Sequence, residues 1–189
     1  VQTCALPILS PLIPPYTVGL ITRDTLLLEF SSSIMCLILA GKIGSNIASE
    51  IGTMRVTEQI DALDIMGVNS ANYLILPKIT ALVTFIPILV AFSMFTGLFG
   101  GYLVSIFTSI IPTSRYVYGL QSYFNEYYIW YSIIKSLFFG FVISSVASFY
   151  GYKVKGGALE VGQASTDSVV VSSVTILLLD VLLTKILLQ

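Results

Sequence analysis

The 189-residue chain reads as an all-α, polytopic integral membrane protein with four transmembrane helices and one short polar helix between the first two. Three observations predict this. The chain is 56% hydrophobic and only 10% charged, with a mean hydropathy of +0.92, whereas soluble domains carry roughly 25% charge. Apolar stretches near the roughly 20 residues that a hydrocarbon core requires recur four times. Charge is concentrated instead of scattered: Lys42, Glu50, Arg55, Glu58, Asp61 and Asp64 all fall between Gly41 and Pro77. A net charge of −1 offers no basic face to nucleic acid. The absence of histidine excludes Ser–His catalysis and histidine metal sites. The two cysteines, Cys4 and Cys36, sit near the N-terminus and in an apolar run, so no disulfide framework is expected.

The elements follow in order. Residues 1–8, VQTCALPI, resemble a translated sequencing-adapter read and are expected to be non-native, a Pro-rich loop being the alternative. No basic region precedes an apolar core there, so no signal peptide is read. Residues 9–19 are Pro-rich, and Tyr16–Asp24 is expected to be a polar lead-in. The first span occupies about Thr25–Gly52. Its second half carries small residues four apart (Ala40, Gly44, Ala48, Gly52, with Gly41 beside them), a pattern that lets helices approach closely in lipid. Gly52-Thr53 is expected to break the helix, with Thr53 as N-cap of a short amphipathic helix, Thr53–Met66. There Val56, Ile60 and Leu63 form an apolar stripe opposite Arg55, Glu58, Asp61 and Asp64, and Gly67 terminates it. The second span is about Pro77–Phe107, with Pro87 expected to kink it and Ser93, Gly97, Gly101 and Ser105 four apart. Residues 108–128 read as a turn-rich connection ending in an interfacial belt of Tyr123, Phe124, Tyr127, Tyr128, Trp130 and Tyr131. The third span is about Ile129–Tyr150, Gly151–Ser168 a Gly-rich polar loop, and the last span about Val169–Leu188.

The first and third connections hold Lys42, Arg55, Lys78, Lys153 and Lys155, and the middle one only Arg115. The positive-inside rule therefore places the Gly41–Pro77 segment in the cytoplasm. Glu29, Lys135 and Asp180 are ionisable groups within apolar spans. Each costs about 2.5–3.5 kcal/mol to insert, so such groups face a polar cavity or pair with one another. For Glu29 and Lys135 a cavity or mutual pairing is expected. Asp180 has a strong structural reading, bonding Thr184 one turn on or packing into the bundle, with a functional role left open, and Lys185 reads as snorkelling to the interface. The glycines at 156, 157 and 162 match no phosphate-binding motif, so this chain holds no nucleotide of its own. No intramembrane protease dyad is present. From the residues alone, a secondary transporter or channel using Glu29, Lys135 and Asp180 and a purely structural scaffold both stay open.

GKIGSNIASEIGTMRVTEQIDALDIMGVNSANYLILPK (residues 41–78) closely resembles the signature of the MlaE/YrbE-type ABC permeases, and KGGALEVGQASTDSVV (155–170) resembles a second family motif. The resemblance spans roughly Leu20 to the C-terminus. It implies a non-catalytic, homodimeric permease in the bacterial inner membrane that moves phospholipid between inner and outer membranes. Its partners would be a cytoplasmic ABC ATPase subunit, which binds the ATP and Mg, and a periplasmic MCE protein. The polar segment would be the coupling helix, with Glu50, Arg55, Glu58, Gln59 and Asp61 toward the ATPase. Glu29 and Lys135 would carry the acidic and lysine positions of a lipid cavity at the dimer centre. Leu28-Glu29-Phe30-Ser31-Ser32 departs from the family's Arg-Glu-Leu-Gly-Pro. Gln163 and Asp167 stand where basic residues are common, as does Asn69-Ser70 where an acidic residue and proline are. The family's N-terminal amphipathic helix and first span have no counterpart in the sequence, as a truncated gene would give.

Overall fold

The computed structural model describes residues 16–108 and 112–188, and among these every regular element is a helix. Six are distinguished here: α1 (Tyr16–Val56), α2 (Gln59–Ile65), α3 (Ser70–Thr108), α4 (Thr113–Gln121), α5 (Tyr127–Lys153) and α6 (Ala158–Leu188). Helices α1, α3, α5 and α6 are long and apolar enough to cross a membrane, as expected. Residues 1–8 and the proline-rich stretch up to residue 15 lie outside the described residues.

α5 is the axis of the bundle. It packs on α1, α3 and α6, and half of its most apolar window is buried. Its small ladder (Ser136, Gly140, Ser144, Ser148) is wholly buried. Gly140 admits the α3 backbone: a Cβ there would sit 3.2 Å from the Leu82 carbonyl oxygen. Gly151 admits α1, where a Cβ would come within 2.7 Å of the Ala48 oxygen. The core of Cys36, Ile47, Ile51, Ile86, Phe139, Ile143 and Ile176 fills the space between these backbones.

Several boundaries differ from the sequence expectation, each for a local reason. Tyr16–Asp24 is the start of α1, not a lead-in. Its polar residue is satisfied by tertiary structure: Arg23, 2% exposed, donates to the Leu120 and Ser122 carbonyls at 2.8 and 2.6 Å and pairs with Asp24 at 2.8 Å. α1 does not break at Gly52-Thr53. Gly52 packs against Val154 and Val161, and the Thr53 hydroxyl, instead of capping a new helix, donates to the Ser49 carbonyl at 2.7 Å. The break falls at Thr57-Glu58, where Glu58 adopts φ +59°. The expected single helix Thr53–Met66 is thus the end of α1, an elbow, and α2. Gly67 (φ +79°) ends α2 as expected, with Val68 N donating to the Leu63 oxygen and Gly67 N to the Asp64 oxygen, both closures of a Schellman motif.

α3 begins seven residues before Pro77, because Asn69 caps it: its side-chain oxygen accepts from Asn72 N at 3.2 Å. The helix continues through Pro77 and Pro87. The middle connection contains α4, seated on the start of α1 through Gly19 and Gly119. The expected loop Gly151–Ser168 shrinks to residues 154–157, since Ser165, Thr166 and Ser168 turn their hydroxyls onto carbonyls of α1 or of their own helix.

Of the residues expected at helix interfaces, Ala48 is fully buried, Gly97 faces Leu26 and Gly101 faces the Tyr116 ring. Gly44 makes ordinary contact with Ile143. At Gly41 nothing among the described residues lies within 4 Å of where its Cβ would be, so it packs against no helix of this chain.

Candidate functional site: a buried charge cluster and an exposed elbow

α1 is underwound twice into wider π-type turns, at Leu26–Ile34 and Ala40–Gly44. Such turns are rare and recur at functional sites. The first carries Glu29 and, one turn on, Ser33 toward α5 and α6. Lys135 of α5 is fully buried and meets both carboxylates: its Nζ lies 3.1 Å from each Glu29 oxygen and 2.7 Å from Asp180 Oδ1. Ser33 shares its proton between Glu29 Oε2 at 3.1 Å and Asp180 Oδ1 at 2.8 Å. Thr184 Oγ1 accepts from Lys135 at 3.1 Å and lies 2.8 Å from the Tyr131 hydroxyl. The Thr184 proton faces the Asp180 carbonyl at 2.7 Å and Glu29 Oε1 at 3.3 Å. Tyr131 also places its ring 4.8 Å from the ammonium.

The expected pairing of Glu29 with Lys135 is therefore present, but Lys135 is enclosed by protein and does not line open space. Glu29, 42% exposed, is the open side of the cluster. Two carboxylates thus share one ammonium. Asp180, for which a bond to Thr184 or packing into the bundle was expected, is a full member; Thr184 does bond it, but through its backbone oxygen, which leaves the carboxylate for Lys135. Tyr131 leaves the aromatic belt for the same reason: it is 0% exposed, whereas Tyr123 and Trp130 are 87% and 63% exposed. A readable signal existed. Glu29/Ser33, Tyr131/Lys135 and Asp180/Thr184 are each an i,i+4 polar pair, which a helix places on one face.

The second feature is the elbow of Thr57–Val68. Its base is braced: Arg55 pairs with Asp61 at 2.6 Å and lies 5.6 Å over the Tyr152 ring, Glu50 pairs with Lys78, and Ser70 Oγ lies 3.2 Å from the Tyr152 hydroxyl. Ile60 is its buried anchor. Arg55 and Asp61, expected to reach outward, thus answer each other within the chain. Glu58 and Gln59 are exposed at the bend, together with Ile65 (87%) and Met66 (68%), two apolar tips that the sequence reading did not single out. Among the described residues no group of three His, Cys, Asp or Glu side chains could hold a metal ion.

Residues 5–186 match the family model described as Permease MlaE. A "Probable ABC transporter permease protein" of Rickettsia bellii is 38% identical over 157 residues, covering 83% of this chain and 61% of that protein. Similarly named proteins of Synechocystis sp. (34% over 160 residues) and Pyropia yezoensis (35% over 164 residues) each cover 85% of this chain and 61% of their own length. The chain thus spans about three fifths of the curated relatives it matches. With four membrane-crossing helices, a charge cluster held between three of them and this match across nearly its whole length, the chain belongs to the MlaE family of ABC transporter permeases.

Proposed function

We propose that this chain forms the membrane-spanning part of a transporter in the bacterial inner membrane that moves phospholipid between inner and outer membranes. A cytoplasmic ABC ATPase subunit supplies the energy and binds the ATP and Mg. A second permease copy and a periplasmic MCE protein complete the assembly, and this chain carries out no covalent chemistry. The observation that carries the reading is the elbow. A charged and apolar tip (Glu58, Gln59, Ile65, Met66) projects from a base braced on α5, so a push on the tip moves the bundle's central helix. Glu29, open on one side of the cluster, is the group that lipid reaches.

The test is co-expression of the full-length permease with the ATPase. Glu58→Lys with Met66→Asp alters the tip and spares the Arg55–Asp61 brace, so ATPase co-purification is lost while the permease stays folded in the membrane. A wild-type permease that retains no ATPase would sink the proposal. A secondary transporter or channel is the second reading, and the cluster of three ionisable side chains joining α1, α5 and α6 favours it. That reading requires flux driven by membrane potential in liposomes without any ATPase.

A further inference from the structure

A groove of about 450 Å³ lies between α3 and α5, at the end of the bundle that carries the elbow and away from the Glu29–Lys135 cluster. Its walls are apolar, with Ile75 and Phe149 among the lining side chains. Its rim is cationic, formed by Arg55, Lys153 and Lys155. Arg55 is already engaged by Asp61, but Lys153 and Lys155 are exposed and form no ion pair among the described residues. Lys153 instead lies 5.5 Å over the exposed Phe149 ring. Glu160 and Asp167 line an adjoining recess with the same two lysines, and neither comes within ion-pairing distance. At the groove's floor Ser148 is 1% exposed, and its buried hydroxyl has no hydrogen-bond partner among the described residues. The neighbouring buried Ser144 satisfies its hydroxyl on the carbonyls of Gly140 and Phe141. An orphaned buried hydroxyl carries a free-energy cost that an incoming acceptor removes.

We propose that this groove binds one phospholipid with an anionic headgroup, drawn from the leaflet on the elbow side. The phosphate lies between Lys153 and Lys155, an acyl chain runs along Ile75 and Phe149, and an ester oxygen accepts from Ser148. The chemistry selects this occupant. A cationic rim recognises phosphate, the apolar walls recognise a chain, and basic pockets between spans are where anionic headgroups collect. A soluble phosphate would use the rim but leave the walls bare. The site is separate from the lipid reached by Glu29, and it adjoins the elbow through Arg55.

The test is native mass spectrometry of the full-length permease in detergent, titrated with dioleoyl phosphatidylglycerol, dioleoyl phosphatidylcholine or glycerol 3-phosphate. Wild-type protein is expected to retain phosphatidylglycerol about tenfold better than phosphatidylcholine. Lys153→Gln with Lys155→Gln costs about thirtyfold in phosphatidylglycerol affinity, as two lysines near a headgroup imply. Ser148→Leu, which fills the floor and leaves the charges alone, lowers retention of both lipids. Equal retention of the two lipids by wild type overturns the proposal, as does full competition by glycerol 3-phosphate, which would make the rim a site for soluble phosphates. Lipid retention abolished by Glu29→Gln but not by the lysine pair would place the bound lipid at the central cluster and also overturns it. Loss of ATPase co-purification leaves every one of these readouts intact, so the two proposals fail separately.

Discussion

Lys135→Met isolates what the buried ammonium does. In the wild type its Nζ touches Asp180 at 2.7 Å and Glu29 at 3.1 Å, so the two carboxylates lie no further apart than the sum of those contacts, about 6 Å. Methionine fills a similar volume and removes the charge. The facing carboxylates then repel by about 3 kcal/mol at an effective dielectric near 20. That falls at the lower end of the roughly 3–5 kcal/mol lost when one partner of a buried pair is removed. Cys36, fully buried beside this region, provides the assay: thermal unfolding of the full-length permease in detergent, followed by a thiol-reactive dye in a background where Cys36 is the reporting thiol. The midpoint should fall by about 6–12 °C. The triple variant Lys135→Met, Glu29→Gln, Asp180→Asn removes the repulsion and should recover most of the loss. A single variant within about 2 °C of wild type, or a triple variant no better than the single, would refute the view that Lys135 holds the two carboxylates together.

Three further outcomes follow from local geometry. Gly119→Ala drives a methyl into the Tyr16 carbonyl and to 3.2 Å from Gly19 Cα, and should cost about 1–3 kcal/mol in the same unfolding assay, whereas Gly41→Ala, inside a helix with open space around it, should be neutral or stabilising by up to about 1 kcal/mol. Glu58→Gly relieves a left-handed residue at φ +59° and should be neutral or stabilising by up to about 1 kcal/mol. Arg23→Gln loses the guanidinium's bonds to the part-buried Leu120, Ser122 and Tyr123 carbonyls and should cost about 2–3 kcal/mol, read as a lower midpoint.

The spans and the presence of a charged segment between the first two were legible because they rest on periodicity and on a concentrated run of charge, whereas the bend at Glu58 and the Arg55–Asp61 brace were not. What sequence alone misjudged were the ends of helices, where tertiary partners outweigh local propensity. Tyr16–Asp24 reads polar, yet Arg23 finds three carbonyls about a hundred residues away. Gly52-Thr53 reads as a break, yet Gly52 is small because Val154 and Val161 crowd it, not because the backbone turns there. Glu58, which no propensity scale would place in a left-handed conformation, takes the bend. The charge cluster was half legible. Pairing of Glu29 with Lys135 was one of the two arrangements the sequence offered, but Asp180 needed the knowledge that α6 lies against both α1 and α5.

The position of α5 suggests how the elbow and the cluster communicate. Lys135 and Tyr152 stand seventeen positions apart on this one helix (135 to 152), a separation of about 25 Å. At one end Tyr152 receives Arg55 over its ring and Ser70 at its hydroxyl; at the other, Lys135 holds Glu29 and Asp180. A helix with buried residues along its length and backbone contacts to α1 and α3 shifts as a unit, since close-packed interfaces do not deform gradually. Resting on the transporter reading above, Tyr152→Leu keeps the apolar packing and drops both handles. ATPase binding and basal ATP turnover should persist, while phospholipid moved per ATP falls several-fold, within the roughly 0.5–2 kcal/mol by which coupling residues act. Tyr152→Phe retains the ring under Arg55 and should sit close to wild type. An unchanged ratio of lipid moved to ATP hydrolysed in Tyr152→Leu would show that the elbow drives the cluster through α1 itself, past the Glu58 bend, and that α5 is only the post against which it moves.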